Sequence, residues 1–100
     1  MKARPKTFTV SGRTFTVHYV RDHALLNDED MGRTDYDHGR ILVRTYLDGT
    51  RLPADAVREA LWHELMHAAF WSAGLPECAE NEDLILQVSN AVLQIVTSAK

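Results

Sequence analysis

The sequence predicts an α+β fold in which a small antiparallel sheet precedes two helices. Apolar and polar residues alternate through much of the first half, with the two-residue period of half-buried strands. Residues 55–71 then contain good helix formers and neither glycine nor proline. With 100 residues, of which 45% are hydrophobic and 25% charged, the chain is long enough for one modest core. We therefore expect a single domain over residues 1–100.

The sheet is predicted to begin with a hairpin. Its alternating positions are Phe8, Val10, Phe15, Val17 and Tyr19, on either side of Ser11-Gly12. A turn is expected at Asp37-His38-Gly39, a third strand from Arg40 to Leu47, and a second turn at Asp48-Gly49. The segment from Arg21 to Asp30 is ambiguous, and His23 to Asn27 is compatible with one or two helical turns.

The first helix is predicted from Asp55 to Trp71. Pro53 stands just before it, where a first helical turn tolerates proline, and Gly74 follows as a left-handed stop. Apolar side chains surround most of the centre of this segment, so we expect the helix to be buried.

The second helix is predicted from about Asn81 to Ser98, with Asn81 as its N-cap. Helical geometry gathers one polar face, which consists of Asp83, Gln87, Asn90, Gln94 and Thr97. The broad apolar face opposite consists of Leu84, Ile85, Val88, Val92, Ile95 and Val96. Glu82 falls at the margin of the apolar side, whereas Glu80 points with the polar group. Glu82 is therefore the acid that we expect to face inward.

The predicted buried helix carries His63-Glu64-Leu65-Met66-His67, which reads H-E-x-x-H. Histidines at i and i+4 lie one above the other on a helix face, so both imidazoles can reach one metal ion. Neutral imidazole suits Zn²⁺, and the intervening glutamate can take a proton from a zinc-bound water. Core histidines satisfied by carbonyl groups are the alternative, but a stacked pair with Glu64 beside it favours zinc.

A catalytic zinc site needs a third protein ligand and leaves the fourth position for water. The candidates lie just before and within the start of the second helix. Glu82 ranks first because it is the acid on the apolar side, and Glu80 ranks second. Cys78 ranks third because a lone cysteine more often behaves as a small buried hydrophobe.

These residues resemble the gluzincin branch of zinc metallopeptidases, in particular the very small zincin-like proteins encoded by bacteriophages and prophages. The matching residues are Gly32, Asp35, Tyr36, Ile41-Leu42-Val43, His63 to His67 and Glu82-Asp83. The resemblance implies that His63, His67 and Glu82 bind zinc and that Glu64 is the general base. It also implies that the strand around Ile41 to Tyr46 borders the cleft, where its exposed edge would bind an extended peptide.

Peptide hydrolysis benefits from a hydrogen-bond donor to the developing oxyanion, often a tyrosine or a histidine. No histidine follows His67 and no tyrosine follows Tyr46, so the donor has to come from upstream. Tyr46, on the strand next to the helix, and His38, in the preceding turn, are the preferred candidates. The other candidates are Tyr36, His18, His23 and the arginines.

Charge and composition narrow the classes of partner. Residues 59–100 hold six acids and one basic residue, Lys100, so the predicted site is acidic and disfavours nucleic acid. No segment has the pattern of a signal peptide or a membrane span, and a single cysteine excludes an intramolecular disulfide. The expected compartment is the cytoplasm, that of a bacterial host if the chain is phage-encoded as the resemblance suggests.

The function predicted from the sequence is zinc-dependent hydrolysis of a peptide or protein substrate, with Glu64 activating water. Little chain is left to build a walled pocket, so we expect a narrow substrate range or a weak activity. A zinc-stabilised binding or regulatory module without turnover is the alternative. A third interpretation has no metal and treats the histidines as core residues of an interaction protein.

Overall fold

The structure of the protein is a computed structural model that describes residues 6–99. The elements in chain order are β1 (Lys6–Val10), β2 (Arg13–Val20), β3 (Gly32–Asp35), β4 (Arg40–Arg44), β5 (Tyr46–Leu47), β6 (Thr50–Arg51), α1 (Ala54–Ser72), α2 (Pro76–Ala79) and α3 (Glu82–Ser98). The predicted α+β class is confirmed. The two predicted helices correspond to α1 and α3, and α2 is a single additional turn between them.

The main sheet is mixed, so the prediction of an antiparallel sheet is wrong. Its strand order is β1-β2-β4-β3. The β1–β2 hairpin and the β3–β4 pair are antiparallel, but β2 and β4 are parallel, with Val17 beside Ile41. The cause is β3, a strand that the sequence does not predict. The loop after β2 crosses to β3, and the turn at residues 36–39 then brings β4 back alongside β2 in the same direction.

The predicted third strand, Arg40 to Leu47, is interrupted at Thr45. The backbone N–H of Thr45 donates to the carbonyl oxygen of Val20 at 2.9 Å, and its hydroxyl donates to the same oxygen at 3.1 Å. After this break, β5 pairs with β6 in a separate two-stranded hairpin whose turn is Asp48-Gly49. The turn was predicted, but the strand leading into it belongs to this smaller sheet.

The segment from Arg21 to Asp30 contains turns and no helix. A buried arginine of β4, Arg44, binds this loop from below: its Nε donates to the carbonyl oxygen of Asp30 at 2.7 Å, and its Nη2 donates to that of Asn27 at 2.9 Å. The backbone forms two separate turns, in which the N–H of Leu26 donates to the carbonyl oxygen of His23 and the N–H of Asp30 donates to that of Asn27, each at 3.0 Å. The one or two helical turns considered for His23 to Asn27 are therefore not formed.

The core lies between α1 and one face of the main sheet. Fully buried apolar side chains of β2 and β4 meet small and aliphatic side chains of α1; they are Phe15, Val17, Ile41, Val43, Ala60, Leu65 and Ala68. Burying each large member contributes about 1.5–3 kcal/mol relative to leaving it exposed. The helix ends as predicted, with Gly74 in the left-handed region at φ 79°.

Helix α3 packs along α1 and has α2 as its other main neighbour. Its N-cap is Asn81, as predicted, and the Asn81 side chain accepts a hydrogen bond from the N–H of Leu84 at 3.1 Å. The predicted apolar face is only partly correct, because Ile95 and Val96 are 67% and 48% exposed whereas Ser89 is 3% exposed. Because α3 packs mainly on one neighbouring helix, it buries only a narrow stripe of its side chains. Ser89 belongs to this buried stripe. Among the described helices, none has both the length and the apolar character needed to cross a bilayer.

Candidate metal centre

Two histidines of α1 point their Nε2 atoms towards each other. His63 and His67 are one helical turn apart, and their Nε2 atoms are 3.3 Å from each other. The ring centroids are 5.0 Å apart and the rings are inclined at 64°, so the imidazoles converge without stacking face to face. This is the spatial relationship expected from an i, i+4 pair on one face of a helix.

The first residue of α3 completes the cluster. The Glu82 carboxylate lies across both imidazoles, with Oε2 at 3.1 Å from His63 Nε2 and Oε1 at 3.0 Å from His67 Nε2. The short helix α2 reverses the chain after α1, and the Asn81 cap then fixes the start of α3 opposite the histidines. Helical register predicts Glu82 on the apolar side; its carboxylate does contact both histidines, but its side chain is 68% exposed.

The three donor atoms fit a tetrahedral zinc ion. Bonds of about 2.0–2.2 Å require neighbouring ligand atoms about 3.3–3.6 Å apart. The two Nε2 atoms are 3.3 Å apart, and Glu82 faces them through two different oxygens, with Oε2 3.1 Å from His63 and Oε1 3.0 Å from His67. One ligand atom from each of the three residues lies within 4.8 Å of the others, so the carboxylate would have to turn to bring a single oxygen to the ion. Two neutral imidazoles and one carboxylate are also a donor set that zinc accepts. The cluster could therefore hold a zinc ion through three protein ligands.

A backbone carbonyl fixes the orientation of the second histidine. The Nδ1 of His67 is in hydrogen-bond contact with the carbonyl oxygen of Ala79, which is almost fully buried. Since a carbonyl oxygen can only accept, Nδ1 carries the proton and Nε2 keeps its lone pair for a metal. Metal-bound histidines in proteins usually have such a partner on the other nitrogen.

Glu64 lies beside the cluster but belongs to a different environment. It is 8% exposed, and its Oε1 accepts a hydrogen bond from the Thr34 hydroxyl at 2.9 Å. Burial raises the pKa of the Glu64 carboxyl, and the opposing influences of His67 and the Thr34 hydrogen bond are smaller. A carboxylate with a raised pKa is a stronger base near neutral pH, which suits an acceptor of protons from water.

The strand β3 approaches Glu64 closely at a glycine. A Cβ placed on Gly32 would lie 2.9 Å from Cγ of Glu64 and 2.8 Å from the carbonyl oxygen of Leu42. Any larger residue at this position would therefore have to displace the glutamate or the neighbouring strand. Gly32 and Thr34 were not assigned these roles from the sequence, because a four-residue strand of Gly, Arg, Thr and Asp has no hydrophobic alternation to indicate it.

The cluster opens into a cavity of about 660 Å³. One side of the cavity is β3 with the loop before it, the floor is α1, and the other side is α3. Its lining contains five acids and one arginine: Glu29, Asp30, Glu59, Glu64, Glu82 and Arg33. The acidic character expected of the site is thus present in the cavity wall.

Tyr36 lines the same cavity, directly after β3. Its ring is stacked on Trp71 with centroids 4.7 Å apart, and Arg13 donates to the Tyr36 carbonyl oxygen at 3.3 Å. Burial, followed by the carboxylates of Glu64, Glu80 and Glu82, raises the pKa of Tyr36 to about 12. The phenol therefore keeps its proton at neutral pH and can act as a hydrogen-bond donor.

Tyr46 and His38, the preferred oxyanion donors from the sequence, do not line this cavity. The Tyr46 ring faces the Arg21 guanidinium, with Cζ 3.7 Å from the ring centroid. The His38 side chain is 71% exposed, and its Nδ1 lies 3.0 Å from the Asp35 carboxylate. Both positions were inferred from a third strand that would border the cleft. In the structure that strand, β4, is interior, and the edge strand β3 lines the cavity together with His63 and His67.

The alternative third ligands are also separate from the cluster. The metal-ligand group found among the described residues consists of His63, His67 and Glu82. Glu80 is exposed at the C-cap of α2, and Cys78 is half-buried within α2. Neither side chain shares the donor geometry of Glu82.

Comparison with known proteins leaves the site to be interpreted from its own residues. No family model, curated protein or solved structure matches this chain.

Proposed function

We propose that the protein is a minimal zinc-dependent peptidase of the gluzincin type. The observation that carries the proposal is the convergence of His63, His67 and Glu82 at an open cavity, with the buried carboxylate of Glu64 beside them. Three protein ligands and an open fourth position are typical of catalytic zinc sites, whereas structural sites are closed by four protein ligands. The donors also occur in the chain order that the resemblance to gluzincins implies.

The bound zinc would supply Lewis-acid chemistry, lowering the pKa of a coordinated water to about 7. Glu64 is the residue that takes the proton from the attacking water and later delivers it to the leaving amine. Its Oε1 is oriented by the Thr34 hydroxyl, and Oε2 has no hydrogen-bond partner among the described residues. Burial raises the pKa of Glu64, so the carboxyl is matched to both accepting and returning a proton.

Tyr36 is the residue we propose as donor to the oxyanion of the scissile carbonyl. It replaces Tyr46 and His38 in this role, because its ring lies in the cavity wall and its pKa is raised to about 12. A phenol that stays protonated can donate where negative charge develops, which is where such donors contribute most to the rate. The stacking on Trp71 restricts the orientation of the ring.

The substrate is proposed to lie along β3 as an extended peptide. β3 pairs with β4 on one side only, and its residues Gly32, Arg33 and Thr34 line the cavity. An edge strand offers backbone N–H and C=O groups to a peptide that adds to the sheet. The backbone of the substrate would then run past Glu64 and the zinc ligands.

Peptide hydrolysis by zinc-loaded protein and by Glu64→Gln tests the proposal. A screen should contain peptides of diverse sequence, since the activity is expected to be narrow or weak. Glu64→Gln should keep zinc and fold but lose about 10²–10⁴-fold in rate, because an amide cannot accept the proton. Asp83→Asn, which removes an acid of α3 outside the cavity, is the matched control and should retain activity. Equal inactivity of wild type and Glu64→Gln, with zinc bound by four protein ligands, would contradict the proposal.

A zinc-stabilised module without turnover is the second candidate, and one observation favours it. Glu82 belongs to α3, a helix attached mainly to α1, so a zinc ion would tie α3 to the histidines of α1. In that case Glu64 would have no chemical role. Neither wild type nor Glu64→Gln would then cleave peptides, and both would bind zinc equally, whereas Glu82→Gln would loosen α3.

A further inference from the structure

We propose that the half of the cavity remote from the zinc ligands is a subsite for a lysine or arginine side chain of the substrate. The inference rests on the proposed function, because it takes the cavity to be the active site. It extends that function by assigning the chemical class of the residue next to the cleaved bond. Shape, distribution of charge and distance from the metal ligands each support it.

The remote half lies one helical turn from the metal ligands. Glu59 precedes His63 by four residues on α1, which is about 6 Å along the helix axis. Helix α3 runs antiparallel to α1: Glu82 contacts His63 and His67, whereas Leu93 shares a second cavity with Val57, much nearer the start of α1. A side chain reaching from a bond held at the zinc ligands would therefore extend between Glu59 and the middle of α3.

Small residues give this half its depth. Ala56 and Ala60 of α1 and Ser89 of α3 line the cavity with small side chains, and Ser89 is only 3% exposed. Met31 and Leu86 stand at its sides, and Leu86 is 52% exposed although it is a large apolar residue. A lysine or arginine side chain has an aliphatic stem that can cover such apolar surface while its charged end stays near water.

Acids stand where the charged end would arrive. Glu29 and Asp30, in the loop before β3, and Glu59 of α1 all line the cavity. The single cation of the lining, Arg33, donates through Nη1 to the carbonyl oxygen of Leu25 at 3.3 Å, so its head group is directed to the loop. None of the ion pairs among the described residues joins Arg33 to these three acids, and Asp30 Oδ2 accepts a hydrogen bond from the N–H of Asn27 at 3.0 Å.

The negative charge is concentrated in this cavity and is not general to the protein. The chain has a net charge of −3, while the lining alone has five acids against one arginine. The remainder of the chain is therefore slightly positive. A divalent zinc ion would leave the cavity still negative, so attraction of a cationic side chain would persist in the loaded protein.

Binding of matched peptides to zinc-loaded Glu64→Gln tests the subsite without interference from cleavage. Three labelled peptides should differ at one residue: lysine, norleucine, which has the same stem without charge, and glutamate. Three partly exposed carboxylates predict about tenfold tighter binding of the lysine peptide than of the norleucine peptide, with the glutamate peptide weakest. The preference should shrink as salt is raised, because exposed charges are screened.

Charge variants of the protein test whether the acids of the cavity cause the preference for lysine. Glu59→Gln in the same background should reduce the preference for lysine about threefold, and Glu59→Lys should abolish or reverse it. Glu77→Gln removes one acid from α2, outside the cavity, and should leave the preference unchanged. Equal affinity for the lysine and norleucine peptides, equal effects of Glu59→Gln and Glu77→Gln, or no binding of any peptide would each overturn the inference.

The two proposals can fail separately. Cleavage of peptides by wild type with no preference for basic residues would overturn the subsite and leave the peptidase intact. Selective, salt-sensitive binding of the lysine peptide without any cleavage by wild type would support the subsite and overturn the peptidase.

Discussion

Gly32 lies directly against the side chain of Glu64, since a Cβ on Gly32 would be 2.9 Å from Cγ of Glu64. The same Cβ would be 2.8 Å from the carbonyl oxygen of Leu42, which cannot move without disturbing the sheet. β3 can therefore approach Glu64, the proposed general base, this closely only because residue 32 has no side chain. The position of Glu64 therefore depends on a residue of a different element.

We predict that Gly32→Ala lowers both stability and activity. The added methyl group has to displace Glu64 or separate β3 from β4, and overpacking of this kind typically costs about 1–3 kcal/mol. Denaturant unfolding measures the loss of stability, and peptide cleavage measures the displacement of Glu64. Arg33→Ala, on the same strand with an exposed side chain, should change stability by no more than about 0.5 kcal/mol. Unchanged stability and activity in Gly32→Ala would show that the close approach does not constrain the site.

Zinc retention should depend on three residues and not on their neighbours. His63→Ala or His67→Ala should abolish stoichiometric zinc, and Glu82→Gln should weaken binding far more than Glu80→Gln, because only Glu82 contacts both imidazoles. Metal analysis after loading and removal of excess zinc measures the stoichiometry. Removal of zinc should also lower the free energy of unfolding, since the binding energy of such a site contributes to folding. Less than a few tenths of a zinc per wild-type chain would contradict the metal centre.

The oxyanion donor can be identified by removing the hydrogen-bond donor of one candidate side chain at a time. Tyr36→Phe should keep zinc and lower kcat about 10²-fold or more, as expected for loss of a donor that acts in the transition state. Tyr46→Phe and His38→Ala should leave kcat unchanged, because neither residue lines the cavity. Steady-state kinetics on one cleaved peptide separates the three variants. If kcat falls only in Tyr46→Phe or only in His38→Ala, the substituted residue is the donor and Tyr36 is not.

The pH dependence should respond to the hydroxyl of Thr34. Burial raises the pKa of Glu64, and the Thr34 hydrogen bond lowers it in part. Thr34→Val removes this lowering influence, together with the contact of the hydroxyl to the Glu64 carbonyl oxygen at 3.0 Å, so the Glu64 pKa should rise further. The acidic limb of kcat/KM should then move to higher pH, because Glu64 acts as a base only when ionised.

Thr34→Ser provides the matched control for this experiment, since serine keeps the hydroxyl. Its acidic limb should coincide with that of wild type within experimental error. An acidic limb that moves to lower pH in Thr34→Val would mean that Glu64 is not the group titrating in that limb.

The elements that carry a strong local pattern were predictable from the sequence. The bounds of α1 and α3 follow from helix formers between Pro53, Gly74 and the Asn81 cap, and helical register then placed Glu82 towards α1. The β1–β2 hairpin follows from alternation about Ser11-Gly12. Each of these features depends on residues close together in the chain.

The features that were missed depend on residues far apart. The four-residue strand β3 has no buried alternation of its own, and its assignment comes only from pairing with β4. Without β3, the direction of β4 and the identity of the strand beside the site could not be inferred. Tyr46 was consequently preferred to Tyr36, although Tyr36 is the tyrosine that lies against Trp71 in the cavity wall.

The attachment of α3 to α1 has a consequence for how the protein opens. Because α3 has little contact with the sheet, it is a candidate for a cooperative unit that detaches while the rest of the fold persists. Such a partial opening would carry Glu82 away from both histidines, so it would dismantle the donor set in the same event. The amide hydrogens of α3 and the dissociation of the ion would then share one opening equilibrium. Hydrogen exchange in this helix would then report the free energy of the opening that separates the metal ligands.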